Sequence, residues 1–177
     1  EYLLTGKLEP TNEGYALAKI AGLKLCEYYN KELGTIFICL MPPNLYGPWD
    51  NFDAEGSHVI AGLIRKFVSA KAKGIESVEV WGTGRARREF LYIDDLARAC
   101  LYFMNKYNAK DLPPFINIGY GSDISIRDLV KIITKSIGYR GRVVWDYSMP
   151  DGMPRKLLEI SKAKRLLFRP KVNLEKG

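Results

Sequence analysis

The sequence has little cysteine, a single histidine and no glycine-rich phosphate turn, and each scarcity removes a class of protein. Cys26, Cys39 and Cys100 are the only cysteines, an odd number and too few for a disulfide-stapled secreted domain. Each lies in an apolar stretch, which predicts reduced core residues in a cytoplasmic protein. With His58 as the lone histidine, no metal site is expected. The longest apolar runs, such as IFICLMPP, are far too short to span a bilayer, and no basic-then-apolar leader opens the chain. No G-x-G-x-x-G or G-x-x-G-x-x-G turn follows a strand. The GTG at 82–84 and the GYG at 119–121 lack the third glycine that would cradle a dinucleotide. Internal repeats, low-complexity tracts and polybasic arms are also absent.

What is there suits a folded core. The 177 residues are 47% apolar and 12% aromatic, enough for one domain or a large piece of a two-lobed protein. The net charge of +7 is scattered, apart from RARR at 85–88 and RK pairs at 65–66 and 155–156. Such scatter reads as a solvated surface, with anionic ligands such as phosphates as the alternative, rather than as a nucleic-acid interface.

Helical and strand patterns alternate along the chain. Helices are expected over about 13–33, 58–73, 94–107, 125–138 and 160–168. The first stops at Gly34, the third is capped by Asp94 or Asp95, and the fourth carries Ser125 and Asp128 at capping-box spacing. Strands are expected over 35–42, 78–82, 88–93, 113–119 and 142–146, with a loop over 44–57. This alternation predicts an α/β fold with a mainly parallel sheet. Only about a dozen residues precede the first helix, and VNLEKG resembles the opening of another, so both ends read as cut from a longer chain.

NEGYALAKIAG places Tyr15 and Lys19 four residues apart, on one helix face. An ammonium beside a phenol favours the phenolate and suits proton transfer, although the same spacing arises by chance in many helices. Ala16, Ala18, Ala21 and Gly22 permit close approach of another element. Leu17, Ile20, Leu23, Leu25 and Tyr29 make the helix apolar on more than one side, which predicts burial on two sides, one of them against another subunit.

LLTGKLEPTNEGYALAKIAGLKLCEYYNKELG resembles the active-site helix of the extended short-chain dehydrogenase/reductases. The likeness continues through MPPNLYGPWDNFD, SHVIAGLIRKF, VEVWGTGRARREFLYIDDLARACL, INIGYGSDISIRDLVKII and PDGMPRKLLEIS. It covers essentially the whole chain, and LEPTNEGYALAKIAG with PDGMPRKLL narrows it to the members that epimerise and reduce a GDP-sugar. The resemblance implies NADP(H)-dependent conversion of GDP-4-keto-6-deoxy-D-mannose to GDP-L-fucose, by inversion at C3 and C5 and reduction at C4. It implies Tyr15 as proton donor to the 4-keto oxygen, Lys19 as its activator and nicotinamide-ribose ligand, and His58 as the epimerisation acid/base. Pro42, Pro43, Asn44 and Leu45 would touch the nicotinamide side of NADP, with Tyr15, Lys19 and His58 also facing the cofactor. Pro43 stands where a threonine is usual, and Lys66 where an arginine is common.

Val59, Lys66, Trp81, Arg88, Arg142, Asp151 and Lys156 would contact the GDP-sugar. The alternative for Trp81 is a strand-edge core residue, for Arg88, Arg142 and Lys156 a surface charge, for Asp151 a plain turn residue, and for His58 a satisfied loop histidine. The implied layout has residues 1–55 as the remnant of the dinucleotide-binding domain and 56–177 as the substrate lobe, with 88–107 returning to the Rossmann sheet. It implies a homodimer through the active-site helix. Because the family's Gly motif, catalytic serine and partner cysteine precede that helix, this chain alone is expected not to turn over. Two further readings stay open: another nucleotide-sugar epimerase/dehydratase, or a non-catalytic nucleotide-sugar-binding module.

Overall fold

The computed structural model describes residues 4–54 and 56–177, and for Thr11 the backbone alone. The expected domain boundary at residue 55 lies outside the described residues. In chain order the elements are helix α1 (Glu13–Leu33), strands β1 (Leu40–Met41) and β2 (Asn44–Tyr46), helix α2 (Val59–Ala72) and strands β3 (Ser77–Trp81), β4 (Arg87–Arg88) and β5 (Phe90–Tyr92). They continue with helix α3 (Ile93–Lys106), strands β6 (Ile116–Asn117) and β7 (Ile124–Ser125), helix α4 (Ile126–Ile137), strands β8 (Arg142–Asp146) and β9 (Arg155–Lys156), and helix α5 (Ser161–Arg165). The chain forms two units, one of Glu1–Met41 with Cys100–Ile116, the other of Pro42–Ala99 with Asn117–Gly177.

The first unit is built on α1, which follows a 3-10 turn over Pro10–Asn12 and stops before Gly34, as its sequence predicts. Burial on two sides is not observed. Leu23 is the one α1 residue that is buried, while Leu17, Leu25, Tyr28 and Leu33 are each more than half exposed. The apolar residues are spread around the helix rather than gathered in one stripe, so a single packing partner covers few of them. The strand expected over 35–42 shrinks to Leu40–Met41. Its first residues are instead held by the Asn30 side chain, whose Oδ1 accepts from Phe37 N and whose Nδ2 donates to Phe37 O, both at 2.8 Å. A side chain that satisfies a backbone N–H and C=O removes the groups a strand partner would use. Cys26 and Cys39 are half-buried, but Cys100 is exposed, contrary to a core role.

The second unit has its own core. β3 and β8 pair in parallel, from Ser77 opposite Arg142 to Trp81 opposite Asp146, and β3 buries Val78 and Val80 while turning Trp81 outward. α2 contributes Ile60, Leu63, Phe67 and Ala70, and α4 contributes Leu129, Val130 and Ile133. β2 pairs with β5 in parallel, and β4 lies between antiparallel β7 and parallel β9. The α/β class and the mainly parallel pairing agree with the sequence. α4 opens as expected: Ser125 Oγ accepts from Asp128 N at 3.0 Å and donates to Asp128 Oδ2 at 2.6 Å.

Asp95 does not cap α3. It lies inside that helix, fully buried, and accepts from the Lys171 and Val172 amides at 3.0 and 2.9 Å and from the Arg98 guanidinium. Burial pushes its carboxyl up, but the Val172 amide, Arg98 and the Lys171 amide outweigh it and hold the group below the usual carboxylate range. Leu174 packs against the core and residues 174–176 form a turn, where the sequence suggested a helix. No helix among the described residues is long and apolar enough to cross a membrane.

Candidate active site

Tyr15 and Lys19 share one face of α1, both exposed, with Lys19 Nζ 5.4 Å from the Tyr15 ring centre. The helix register puts the ammonium beside the phenol and leaves both reachable from solvent. These two candidates belong to the first unit; the remaining ones belong to the second.

His58 occupies the N-cap position of α2 with extended backbone, and its carbonyl accepts from Gly62 N at 2.8 Å. Its side chain is exposed and makes no hydrogen bond among the described residues, so it is not the satisfied loop histidine. Val59, the first α2 residue, is also exposed. Pro43, Asn44 and Leu45 are half-buried and Pro42 is exposed. Asn44 is fixed from below, its Nδ2 donating to Glu89 O at 2.9 Å.

The cationic candidates are arranged by strand register. β4 and β9 place Arg87 opposite Arg155 and Arg88 opposite Lys156. Like charges directly opposed are unfavourable unless a counter-charge intervenes. On one face it does: Asp123 accepts from Arg87 Nε at 2.8 Å and from Arg155 Nε, and those two guanidinium groups, Arg155 first, hold its carboxyl below the usual range. On the other face no carboxylate lies within ion-pair distance of Arg88 or Lys156 among the described residues. Among the described residues Arg88 donates only to backbone oxygens, to Arg87 O at 2.8 Å and Asp151 O at 3.3 Å. Burial pulls its guanidinium below the ordinary value, with Asp151 opposing. The result is a half-buried cation beside an exposed one, both open to an anion.

The loop beside Arg88 is tied down by side-chain hydrogen bonds. Asp151 Oδ1 accepts from Thr83 N at 2.7 Å and its Oδ2 from the Thr83 hydroxyl, which is the main reason its carboxyl lies below the usual range. Arg127 stacks on the Trp145 ring at 4.5 Å and donates from Nη2 to Thr83 O at 2.8 Å. Gly82 and Gly84 both have positive φ, and an added Cβ would run into the Asp151 carboxylate and, at 2.6 Å, the Trp145 ring. The GTG turn therefore needs glycine for packing against Asp151 and Trp145. Asp151 is accordingly more than a turn residue, with its carboxylate already engaged inside the chain.

Trp81 is 61% exposed, so it is not a core residue; Lys66 Nζ lies 5.9 Å from its ring centre and donates to Glu79 O at 2.6 Å. Arg142 stands at the other end of the β3–β8 pair, opposite Ser77, and is not brought to Trp81. It lines a separate open depression of about 500 Å³ with Lys71, Tyr139 and Arg140.

Sequence reasoning missed Glu89, which is fully buried between Arg88 and the apolar β5. Its carboxylate accepts from Gly121 N at 2.6 Å and Leu158 N at 2.8 Å, and its own N–H donates to Lys156 O at 3.1 Å. It thereby ties the 119–121 turn and the strand of Lys156 to the strand of Arg88. The available signal was a carboxylate inside REFLYI, since a buried charge requires partners. Among the described residues no cluster of His, Cys, Asp and Glu could hold a metal ion.

Comparison with known proteins adds four observations. The model of the NAD dependent epimerase/dehydratase family matches residues 1–119. The chain is 49% identical to Probable GDP-L-fucose synthase 1 of Oryza sativa subsp. japonica over 99% of its own length and 52% of that protein's. It is 48% identical to GDP-L-fucose synthase of Escherichia coli (strain K12), over 99% of this chain and 56% of that one. The chain thus spans about half the length of these curated relatives. Among solved structures, the GDP-mannoheptose C4 reductase of Campylobacter jejuni with NADP bound superposes with a TM-score of 0.87 at 35% identity, over 99% of this chain and 60% of that one.

Proposed function

The chain belongs to the NAD dependent epimerase/dehydratase family, and on that premise we propose that it is the proton-transfer and sugar-nucleotide-binding portion of an NADP-dependent GDP-L-fucose synthase. The reaction is inversion at C3 and C5 of GDP-4-keto-6-deoxy-D-mannose followed by reduction at C4. The names of the relatives at 48–49% identity support the substrate class. The observation that carries the reading is the Arg88–Lys156 pair, two cations in register without a carboxylate, while the adjacent Arg87–Arg155 pair shares Asp123. A diphosphate supplies the missing counter-charge.

The residues present fit the cofactor: Tyr15 and Lys19 are exposed together, so Lys19 can hold the nicotinamide ribose while Tyr15 faces the sugar. NADPH, when bound, supplies the hydride. Tyr15 donates its phenolic proton to the oxygen that becomes the C4 hydroxyl, and the Lys19 ammonium stabilises the phenolate left behind. His58, exposed and unbonded, moves protons at C3 and C5, whose C–H bonds the neighbouring ketone acidifies. Pro42, Pro43, Asn44 and Leu45 form the nicotinamide side, and Val59, Lys66 and Trp81 the sugar-nucleotide side, with Arg142 and Asp151 as further candidates. A homodimer through α1 is supported by its uncovered Leu17, Leu25 and Tyr28, and a cytoplasmic setting by three free thiols.

Reduction without epimerisation is a second reading, supported by the solved relative named as a C4 reductase. GDP titration by calorimetry tests the main reading. Arg88→Ala should weaken binding about 10- to 100-fold and Lys156→Ala less, in keeping with charge-assisted bonds of about 1.5–3 kcal/mol. Unchanged affinity in both variants overturns the diphosphate assignment.

A further inference from the structure

The segment after α1 doubles back along it, and Asn30 fixes the point of return. Its Oδ1 accepts from Phe37 N and from the Thr35 hydroxyl, its Nδ2 donates to Phe37 O, all at 2.8 Å, and Tyr29 meets the Phe37 ring edge-on at 6.2 Å. Beyond Phe37 the chain runs into β1, and Cys39 O already carries a strand-type bond from Ile116 N at 3.0 Å. Extended chain advances about 3.3 Å per residue, while α1 rises about 1.5 Å per residue the other way. Two extended residues and four helical ones therefore cover nearly the same distance, about 6 Å, which brings Cys39 level with Cys26. Both thiols are free and half-buried. Burial, and next to it the adjoining Cys26 thiol, push the Cys39 thiol up to about 11.

We propose that Cys26 and Cys39 form a modification site, a reversible disulfide that staples α1 to the entry of β1. The chemistry uses hydrogen peroxide as oxidant. Cys26 attacks one peroxide oxygen, giving a sulfenic acid and one water. The Cys39 sulfur then displaces the hydroxyl from the Cys26 sulfur, releasing a second water and forming the S–S bond. Burial raises the Cys39 thiol, so the first attack falls to Cys26, and Cys39 gives up its proton as its sulfur attacks the sulfenic acid. The bond would constrain the helix that bears Tyr15 and Lys19, independently of what those residues do. Cys100, exposed in the same unit, serves as an internal control.

The test treats the native chain with hydrogen peroxide, alkylates the remaining thiols, and maps peptides by mass spectrometry. The expected result is loss of two of the three alkylatable thiols, an intact mass lower by two hydrogens, and one linked peptide pair joining Cys26 to Cys39, all reversed by dithiothreitol. Cys100→Ser should leave the crosslink unchanged, and Cys26→Ser should abolish it. Full alkylation of both Cys26 and Cys39 after oxidation, or their separate conversion to higher oxides, overturns the proposal. The unsubstituted chain decides by itself, so a variant that fails to fold leaves the answer intact.

Discussion

The two units differ in how they hold their chemistry. In the second, Arg88 and Lys156 rest on a closed network: Asp123 neutralises the neighbouring arginines, Glu89 ties three segments together, and Asp151 grips Thr83. The same unit has a core in which Phe67 and Leu129 are almost fully buried. In the first, Tyr15 and Lys19 ride on a long helix that buries Leu23 and leaves most of its apolar side chains open. An anion-binding site needs charges prevented from pairing internally, which only a dense framework supplies. A proton-transfer pair at helical spacing needs only the helix.

That contrast can be broken most decisively at Phe67. Phe67→Ala, in the core of the second unit, should destabilise by about 3–5 kcal/mol, read from the midpoint of urea unfolding. Glu89→Ala comes next, at about 1–3 kcal/mol in the same measurement, because the Gly121 and Leu158 amides lose their acceptor. A smaller, local effect follows from pH. The carboxyl of Asp95 is lowered on folding, so its contribution is complete above the unfolded value of about 3.9 and is lost as pH falls through the folded one. Hydrogen-exchange protection at Lys171 and Val172, relative to the free amides at the same pH, should fall selectively on acidification, and Asp95→Asn should remove that pH dependence. The smallest effect is expected at Leu25, 55% exposed on α1, where alanine should change stability by no more than about 0.5 kcal/mol.

Local signals in the sequence were readable wherever the responsible groups are neighbours. The bounds of α1, the Ser125–Asp128 cap and the β3 and β8 spans all follow from spacing within a few residues. Partners far along the chain were not readable. Asn44–Tyr46, which forms β2, reads as loop in the sequence because it precedes a Gly-Pro turn, while its pairing partner, Phe90–Tyr92, is distant. Asp95 has the composition of a cap, yet its acceptors are used by amides at 171 and 172. For the candidate site, residue types pointed to Arg88 and Lys156, but only register explains why they are open to an anion while Arg87 and Arg155 are not. Arg142 shows the limit of reading by type, because the strand pair carries it to the opposite end from Trp81.

The bonds that assemble the second unit's cationic site also fix when it can form. Glu89 reaches across 32 residues to Gly121 and 69 to Leu158, Arg87 across 36 to Asp123, and Arg88 across 63 to Asp151. Each closure carries an entropic penalty that short-range contacts escape, so helices α2 and α4 can form well before β4 finds β7 and β9. The site therefore depends on long-range closures, as does the β3–β8 pairing, rather than on local structure. A chain halted short of those closures would have helices α2 and α4 without Arg88 and Lys156 set in register.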